Sequence, residues 1–293
     1  MKDLLLPRSR RVLEALLAPG GAPPLLAFDY DGVLAPIIAN HHGAPMPART
    51  RRLLVSLAAR LPVAIVSGRS YAKLLRVARG ISPWLVGSHG YDYLGPVRPA
   101  PAEREQVDAW EQRLAEAVAR WPGAALEHKR TNLCLHWARV PPRRRPAAAR
   151  ALAATARRLP GVRLVPGKNV LNVLPAGFPT KGDAIRRLVA QLGCRRALFV
   201  GDDVTDEDVF ALPRRLVLGV HVGRGPSRAA YRLEDHEEVN ALLERLVELA
   251  QAWRPRPAAL PLRVRRAPAA RPASRPPARP VKPARLRGSG ARG

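Results

Sequence analysis

Three apolar runs in this chain stop abruptly at polar clusters. "LLAF" (25–28) leads into "DYDG", "PVAIV" (62–66) into "SGR", and "ALFV" (197–200) into "GDDVTDED". A short, uninterrupted apolar run bounded by Gly, Ser or Asp suits a strand covered on both faces. "WLVG" (84–87) and "LVLGVHV" (216–222) read the same way. Helical spacing lies between them: Leu53, Leu54, Leu57 and Leu61 form one period, and helices are expected from about Ser70, after Thr180, after Thr205 and near 237–252. Strand–helix–strand alternation implies a parallel sheet with right-handed crossovers. Parallel strands share a direction, so their C-terminal ends lie along one edge, where open α/β sheets bind ligands. Asp29, Asp31, Ser67, Asp202, Asp203 and Asp206 are therefore expected to converge.

The middle of the chain follows another pattern. Val107, Trp110, Leu114, Val118 and Trp121 recur at steps of three and four, as in an amphipathic helix. "ALEHKRTNLCLHWARV" (125–140) suits a long strand or a hairpin. A second helix spans roughly 145–159, and "VRLVPGKNVLNVLP" follows, with its Pro-Gly at the expected turn between two strands. The fold class is thus α/β, a Rossmann-like parallel-sheet core with an inserted small α+β domain. The boundaries are 1–97 and 176–252 for the core, 98–175 for the insert and 253–293 for a tail.

Convergent carboxylates need a cation to stay ionised side by side. All-oxygen ligation favours a hard ion, with Mg2+ the default. Ser67 adds a hydroxyl, Gly68 a tight turn, and Lys181 an ammonium at a helix start, where free backbone N–H groups favour anions. Together they suit a phosphoryl group. Asp206, Glu207 and Asp208 also fit a helix's first turn; Asp206 is assigned to the site and the other two to the helix. His89 fits either a site or a buried turn, and His41–His42 a surface loop.

DYDGVL, SGR, the Lys at a helix start and GDDVTDEDVF resemble, in this order, the four motifs of the haloacid dehalogenase superfamily of phosphohydrolases. Tyr30 between the two Asp residues, Pro36-Ile37, "GSHG" (87–90) and the full "GDDVTDEDVF" (201–210) are similar to the trehalose-6-phosphate phosphatase family, whose members carry an α+β cap between the second and third motifs. The resemblance covers about residues 20–250. It implies a nucleophile at Asp29, an acid and base at Asp31, and phosphate held by Ser67 and Lys181. It implies Mg2+ held by Asp29, Asp31 (through its backbone carbonyl) and Asp202, with Asp203 and Asp206 acting from behind. Tyr30, Gly68, Arg69, Lys129 and Asn172 are expected to bind phosphate or substrate, and Glu127 and His128 to help read the sugar. The implied partner is a phosphorylated disaccharide. The family generally has Glu where Asn172 stands and a basic residue where Leu174 stands. Related capped phosphatases for glucosyl- or mannosyl-phosphoglycerate or sucrose phosphate therefore stay open, as does an inert regulatory protein of the same fold.

The net charge of +27 would normally suggest nucleic acid or anionic membrane. Its distribution argues otherwise. From Arg254 to Gly293 there are 12 Lys or Arg, nine prolines and no acidic residue. Such a segment buries too little apolar surface to offset its ordering entropy, so an extended cationic tail is expected. It has no aromatic residue after Trp253 to stack on bases, which leaves only non-specific polyanion binding. Cys134 and Cys194 fit no metal spacing and read as buried free thiols. With no signal-like N-terminus and no run of membrane-spanning length, a cytoplasmic monomer away from membranes is expected.

Overall fold

In the computed structural model, residues 2–5, 7–37, 45–167 and 169–254 are described. His41–His42 and all of the tail beyond Arg254 lie outside them. The chain runs β1 (Lys2–Asp3), α1 (Pro7–Leu17), β2 (Leu25–Phe28), α2 (Ala48–Ala58), β3 (Val63–Val66), α3 (Tyr71–Ala78), β4 (Trp84–Gly87), β5 (Asp92–Tyr93) and α4 (Pro101–Ala119). There follow β6 (Ala125–His128), β7 (Leu133–His136), α5 (Arg145–Arg157), β8 (Val162–Gly167), β9 (Val170–Pro175), α6 (Lys181–Gln191), β10 (Ala197–Gly201), α7 (Glu207–Phe210), β11 (Val217–Val222), β12 (Tyr231–Leu233) and α8 (His236–Ala250).

Eight strands form one sheet in the order β1-β12-β11-β10-β2-β3-β4-β5. Every pairing is parallel except β4 with β5. The apolar runs explain the layering. Along β2, Leu26 and Phe28 face the cluster built with α1, α2, α3 and α8, while Leu25 and Ala27 face the one built with α6 and α7. β3 and β10 divide in the same way, so both faces need apolar side chains and the runs are continuous.

From β2 the chain proceeds outward through β3 and β4; from β10 it proceeds the other way through β11 and β12. The neighbours β2 and β10 therefore flank the point where the strand order reverses.

The segment between β5 and α6 builds a second, four-stranded antiparallel sheet in the order β6-β7-β9-β8. One face packs Leu133, Leu135, Leu171 and Val173 against Val107, Trp110 and Leu114 of α4 and Leu152 and Ala156 of α5. The 125–140 segment is a hairpin. The expected Pro-Gly turn moves by two residues: Pro166 and Gly167 pair within β8, and the chain reverses between Gly167 and Val170. Asn169 takes the left-handed conformation there, with φ at +58°. β8 is an edge strand, where a proline without an N–H donor is tolerated.

Candidate active site

Asp29 and Asp202 each stand one residue beyond a strand, on either side of the reversal point. Asp29 N–H donates to the Val200 carbonyl at 2.9 Å, tying the two strand ends together. Beside them lies Lys181, the first residue of α6, which bridges Asp29 and Asp206. Its side chain is 1% exposed, and its Nζ donates to Asp29 Oδ2 at 2.8 Å and to Asp206 Oδ1 at 2.7 Å. Thr180 caps this helix: its hydroxyl accepts from Asp183 N–H, and the Asp183 carboxylate accepts the Thr180 N–H. The cap holds the Lys181 backbone at the mouth of the sheet.

Burial raises the Asp29 carboxyl to about 7 against the lowering pull of Lys181. Burial, and then the neighbouring Asp29 charge, push Asp202 up to about 9. Burial also raises Asp203. Lys181 would be lowered by burial, but Asp206 and Asp29 carry it above its ordinary value, so its ammonium is secure. The site thus holds more negative charge than one lysine balances.

Asp206 is fully buried. Besides Lys181, it accepts the Asp202 N–H at 2.9 Å and the Asp203 N–H at 3.0 Å through Oδ2. A Cβ on Gly201 would collide with its carboxylate, and one on Gly32, whose φ is +79°, would overlap the carboxylate of Asp202. The expected helix after Thr205 is one 3-10 turn followed by four α-helical residues. That tight start turns Asp206 inward.

A divalent cation fits this arrangement. Asp29, Asp202 and Asp206 offer oxygens that all lie within 4.8 Å of one another. Asp202 Oδ1 is buried without a hydrogen-bond partner, a costly condition that a bound cation relieves. Both oxygens of Asp206 and both of Asp29 already accept hydrogen bonds, those of Asp29 from Tyr30 N–H and Lys181 Nζ, so Asp202 Oδ1 is the oxygen among the three left free for a cation.

Asp31 is held differently. Arg69 grips it with two hydrogen bonds, Nε to Oδ2 at 2.8 Å and a terminal nitrogen to Oδ1 at 2.6 Å. The same guanidinium lies 4.3 Å above the Tyr30 ring. Tyr30 is wholly buried in the core cluster, so it does not face the substrate as expected. Arg69 is paired with Asp31 in this arrangement. Ser67 is buried at the end of β3, and its hydroxyl accepts the Arg69 N–H at 3.2 Å. Gly68 permits the turn because a Cβ there would meet the His89 ring at 2.5 Å.

The outer face of the second sheet covers this edge. A narrow cavity of about 10 Å3, room for a water-sized group, is lined by His89, Thr180, Lys181, Thr205 and Asp208 from below. Arg163, Val165, Asn172 and Leu174 line it from above. Asn172 is fixed there: its Nδ2 donates to the Val165 carbonyl at 3.2 Å and its Oδ1 accepts from Cys134 Sγ at 3.1 Å. Lys129 lies on the same sheet, 3.9 Å from Glu127, but does not line the cavity. His128 pairs instead with Asp108 of α4. Arg163 and Asp208, which ion-pair at 3.8 Å, were not expected at the cavity. Alternation was the available signal for Arg163, since Val162 and Leu164 point to the apolar face. Burial lowers the His89 ring well below its ordinary range, so it stands neutral.

A parallel sheet with carboxylates at its reversal point, a buried lysine between them and a covering sheet defines a capped phosphohydrolase of the haloacid dehalogenase type. A family model described as trehalose-phosphatase matches residues 27–237. The chain belongs to that family and is a phosphoric monoester hydrolase. "Probable trehalose-phosphate phosphatase 9" of Oryza sativa subsp. japonica is 35% identical over 276 residues, spanning 82% of this chain and 74% of that protein. "Trehalose-phosphate phosphatase B" of Arabidopsis thaliana is 32% identical over 259 residues, spanning 80% and 69%. Among solved structures, Aspergillus fumigatus trehalose-6-phosphate phosphatase aligns with a TM-score of 0.58 at 28% identity, over 85% of this chain and 99% of that one. The Candida albicans trehalose-6-phosphate phosphatase C-terminal domain shares the fold with a TM-score of 0.68 at 24% identity, over 85% and 98%.

Proposed function

We propose that the protein hydrolyses trehalose 6-phosphate to trehalose and phosphate in two steps at Asp29, with a divalent cation, Mg2+ by its ligand chemistry. The observation that carries this reading is the buried Lys181 bridging Asp29 and Asp206 beside the unpartnered oxygen of Asp202.

In the first step an Asp29 oxygen forms a bond to phosphorus while the bond to the sugar oxygen breaks. Asp31 gives its proton to that leaving oxygen, which requires it to slacken the Arg69 fork. In the second step Asp31 takes a proton from water, the water oxygen bonds to phosphorus and Asp29 is released. Lys181, held beside Asp29, and Ser67 offer positive charge and a hydroxyl to the phosphoryl oxygens, where charge stabilisation matters most. When bound at Asp29, Asp202 and the Asp31 carbonyl, the cation supplies charge neutralisation for the carboxylates and the phosphoryl group. The second sheet acts as a substrate-selecting cap, with Asn172 at the cavity wall reading hydroxyl groups.

Phosphate release from a panel of sugar phosphates tests this. Trehalose 6-phosphate with Mg2+ is expected to be the best substrate. No release from any member with Mg2+ present would overturn the reading. A second reading, a different glycosyl phosphate, draws on Asn172, an amide that both donates and accepts at the cavity wall, and on apolar Leu174 beside it. Preference for a phosphoglycerate glycoside or sucrose phosphate would favour it.

A further inference from the structure

The sheet edge opposite the carboxylates carries a basic hollow. Arg195 N–H donates to the Pro23 carbonyl at 3.1 Å and Ala197 N–H to the Leu216 carbonyl at 2.8 Å, so residues 195 and 216 lie where β10 and β11 begin. Asp29 and Asp202 stand where β2 and β10 end. A cavity of about 430 Å3 opens at these strand starts. Arg186 of α6, Arg195, Arg215, Pro213 and Leu216 line it, three guanidinium groups and no carboxylate.

We propose that this hollow is a second ligand site, for a small molecule carrying two or more linked phosphoryl groups. Charge is the first argument. Arg186 and Arg215 make no ion pair and no side-chain hydrogen bond with any described residue. Their neighbour Arg187 is engaged elsewhere, 3.9 Å above the Tyr93 ring. Like charges gathered on a concave wall repel one another and concentrate anions there.

The second argument is that the donors are held in place. Arg195 Nη2 donates to the Leu16 carbonyl at 2.5 Å and to the Ala18 carbonyl at 3.0 Å, at the end of α1. Those carbonyls pin the guanidinium without neutralising it. Arg186 stands on the outer side of α6, whose inner side buries Ile185, Leu188 and Val189. Arg215 stands in a turn that Leu216 N–H closes onto the Pro213 carbonyl at 2.7 Å. Donors on a fixed backbone lose less freedom when a ligand binds.

The donor type and the volume then choose the ligand. A guanidinium fork meets phosphoryl oxygens two at a time. Three forks offer more donors than one phosphoryl group accepts, which calls for linked phosphoryl groups. Sites of roughly 300–1,000 Å3 hold small molecules. The chain's own tail does not suit the hollow, because its 12 Lys or Arg come with no acidic residue. The site lies apart from the carboxylate centre and does not depend on the phosphatase reading.

The test is calorimetric titration of the full chain with sodium tripolyphosphate, with chelator present so that no divalent cation ties the anion to Asp202. An ionic strength of about 0.15 M screens charges beyond about 8 Å. Wild type should bind. Arg186→Ser combined with Arg215→Ser should weaken binding about tenfold or more, since one hydrogen bond to a charged group is worth about that much. Arg195 is left in place because it also holds the end of α1. A control, Arg143→Ser combined with Arg150→Ser, removes the same charge from exposed positions before and on α5 and keeps the tail, so it should retain wild-type affinity. Circular dichroism of both establishes that they are folded. Citrate, an anion of similar charge built on carboxylates, should bind wild type about tenfold more weakly or worse. Absence of tripolyphosphate binding in wild type overturns the site. Unchanged affinity in the Arg186 and Arg215 variant does so too, as does an equal loss in both double variants, which would assign binding to overall charge. Equal affinity for citrate would overturn the phosphoryl assignment.

Discussion

Lys181 and Asp29 face each other across 2.8 Å, yet their replacement should have opposite effects on stability. Lys181→Met leaves two carboxylates, Asp29 and Asp206, buried without a counter-charge. Removing one partner from a buried pair costs about 3–5 kcal/mol. Urea unfolding should show that loss, and turnover should vanish with it. Asp29→Asn instead removes a carboxyl that burial already raises to about 7. The amide brings no charge to desolvate, and Lys181 keeps Asp206. Without metal, the Asp29→Asn variant should therefore match or exceed wild-type stability, and it should release no phosphate under any condition. If both variants lose stability equally, Lys181 is not the electrostatic centre of the site.

At the scale of elements, the hairpin β8–β9 and the start of α6 carry the local chemistry. Asn169 sits at φ +58°, a conformation that costs most L-residues about 1–2 kcal/mol and that asparagine enters more readily. Asn169→Gly should be tolerated, whereas Asn169→Val should lower stability by about that amount in thermal unfolding. Thr180→Ala should cost about 1 kcal/mol through the lost helix cap, with a fall in activity because the cap anchors Lys181. The five parallel strands β2, β3, β4, β10 and β11 were legible because each is an unbroken apolar run. β1, β5 and β12 were not, since two or three residues show no period. The turn between Gly167 and Val170 was misplaced because Pro-Gly is a strong local signal, and only the pairing of β8 as an edge strand overrides it. The site's residues were legible at the strand ends, but their partnerships were not. Nothing within "SGR" says that Arg69 reaches back 38 positions to grip Asp31. Nothing in the acidic run after Thr205 says that its first carboxylate is fully buried against Lys181. Such pairings arise only where separate strands meet.

For the whole molecule, the raised carboxyls couple folding, protons and metal. Asp29 rises to about 7 and Asp202 to about 9. A carboxyl raised on folding stabilises the native state while protonated. That contribution is complete below the ordinary carboxylate value near 4 and is lost as pH climbs through about 7 and then about 9. The metal-free protein should therefore lose stability from these groups as pH rises across neutrality. A divalent cation binds the ionised form, so its affinity should rise over the same interval and its binding should release protons. At about a hundredfold excess over Kd, a ligand of the native state adds about 2.7 kcal/mol. For a domain of this size, each kcal/mol moves Tm by about 2–4 °C, so Mg2+ should raise Tm by roughly 5–10 °C at about pH 8.5 relative to chelated protein. At about pH 5.5 protons hold both carboxyls, and the same Mg2+ concentration should do little. Asp202→Asn should abolish most of the difference between the two pH values. Thermal unfolding with Mg2+ and with chelator at both pH values reads this directly. An equal Mg2+ shift at both would show that the cation does not compete with protons at Asp29 and Asp202, and the ligand assignment would fall.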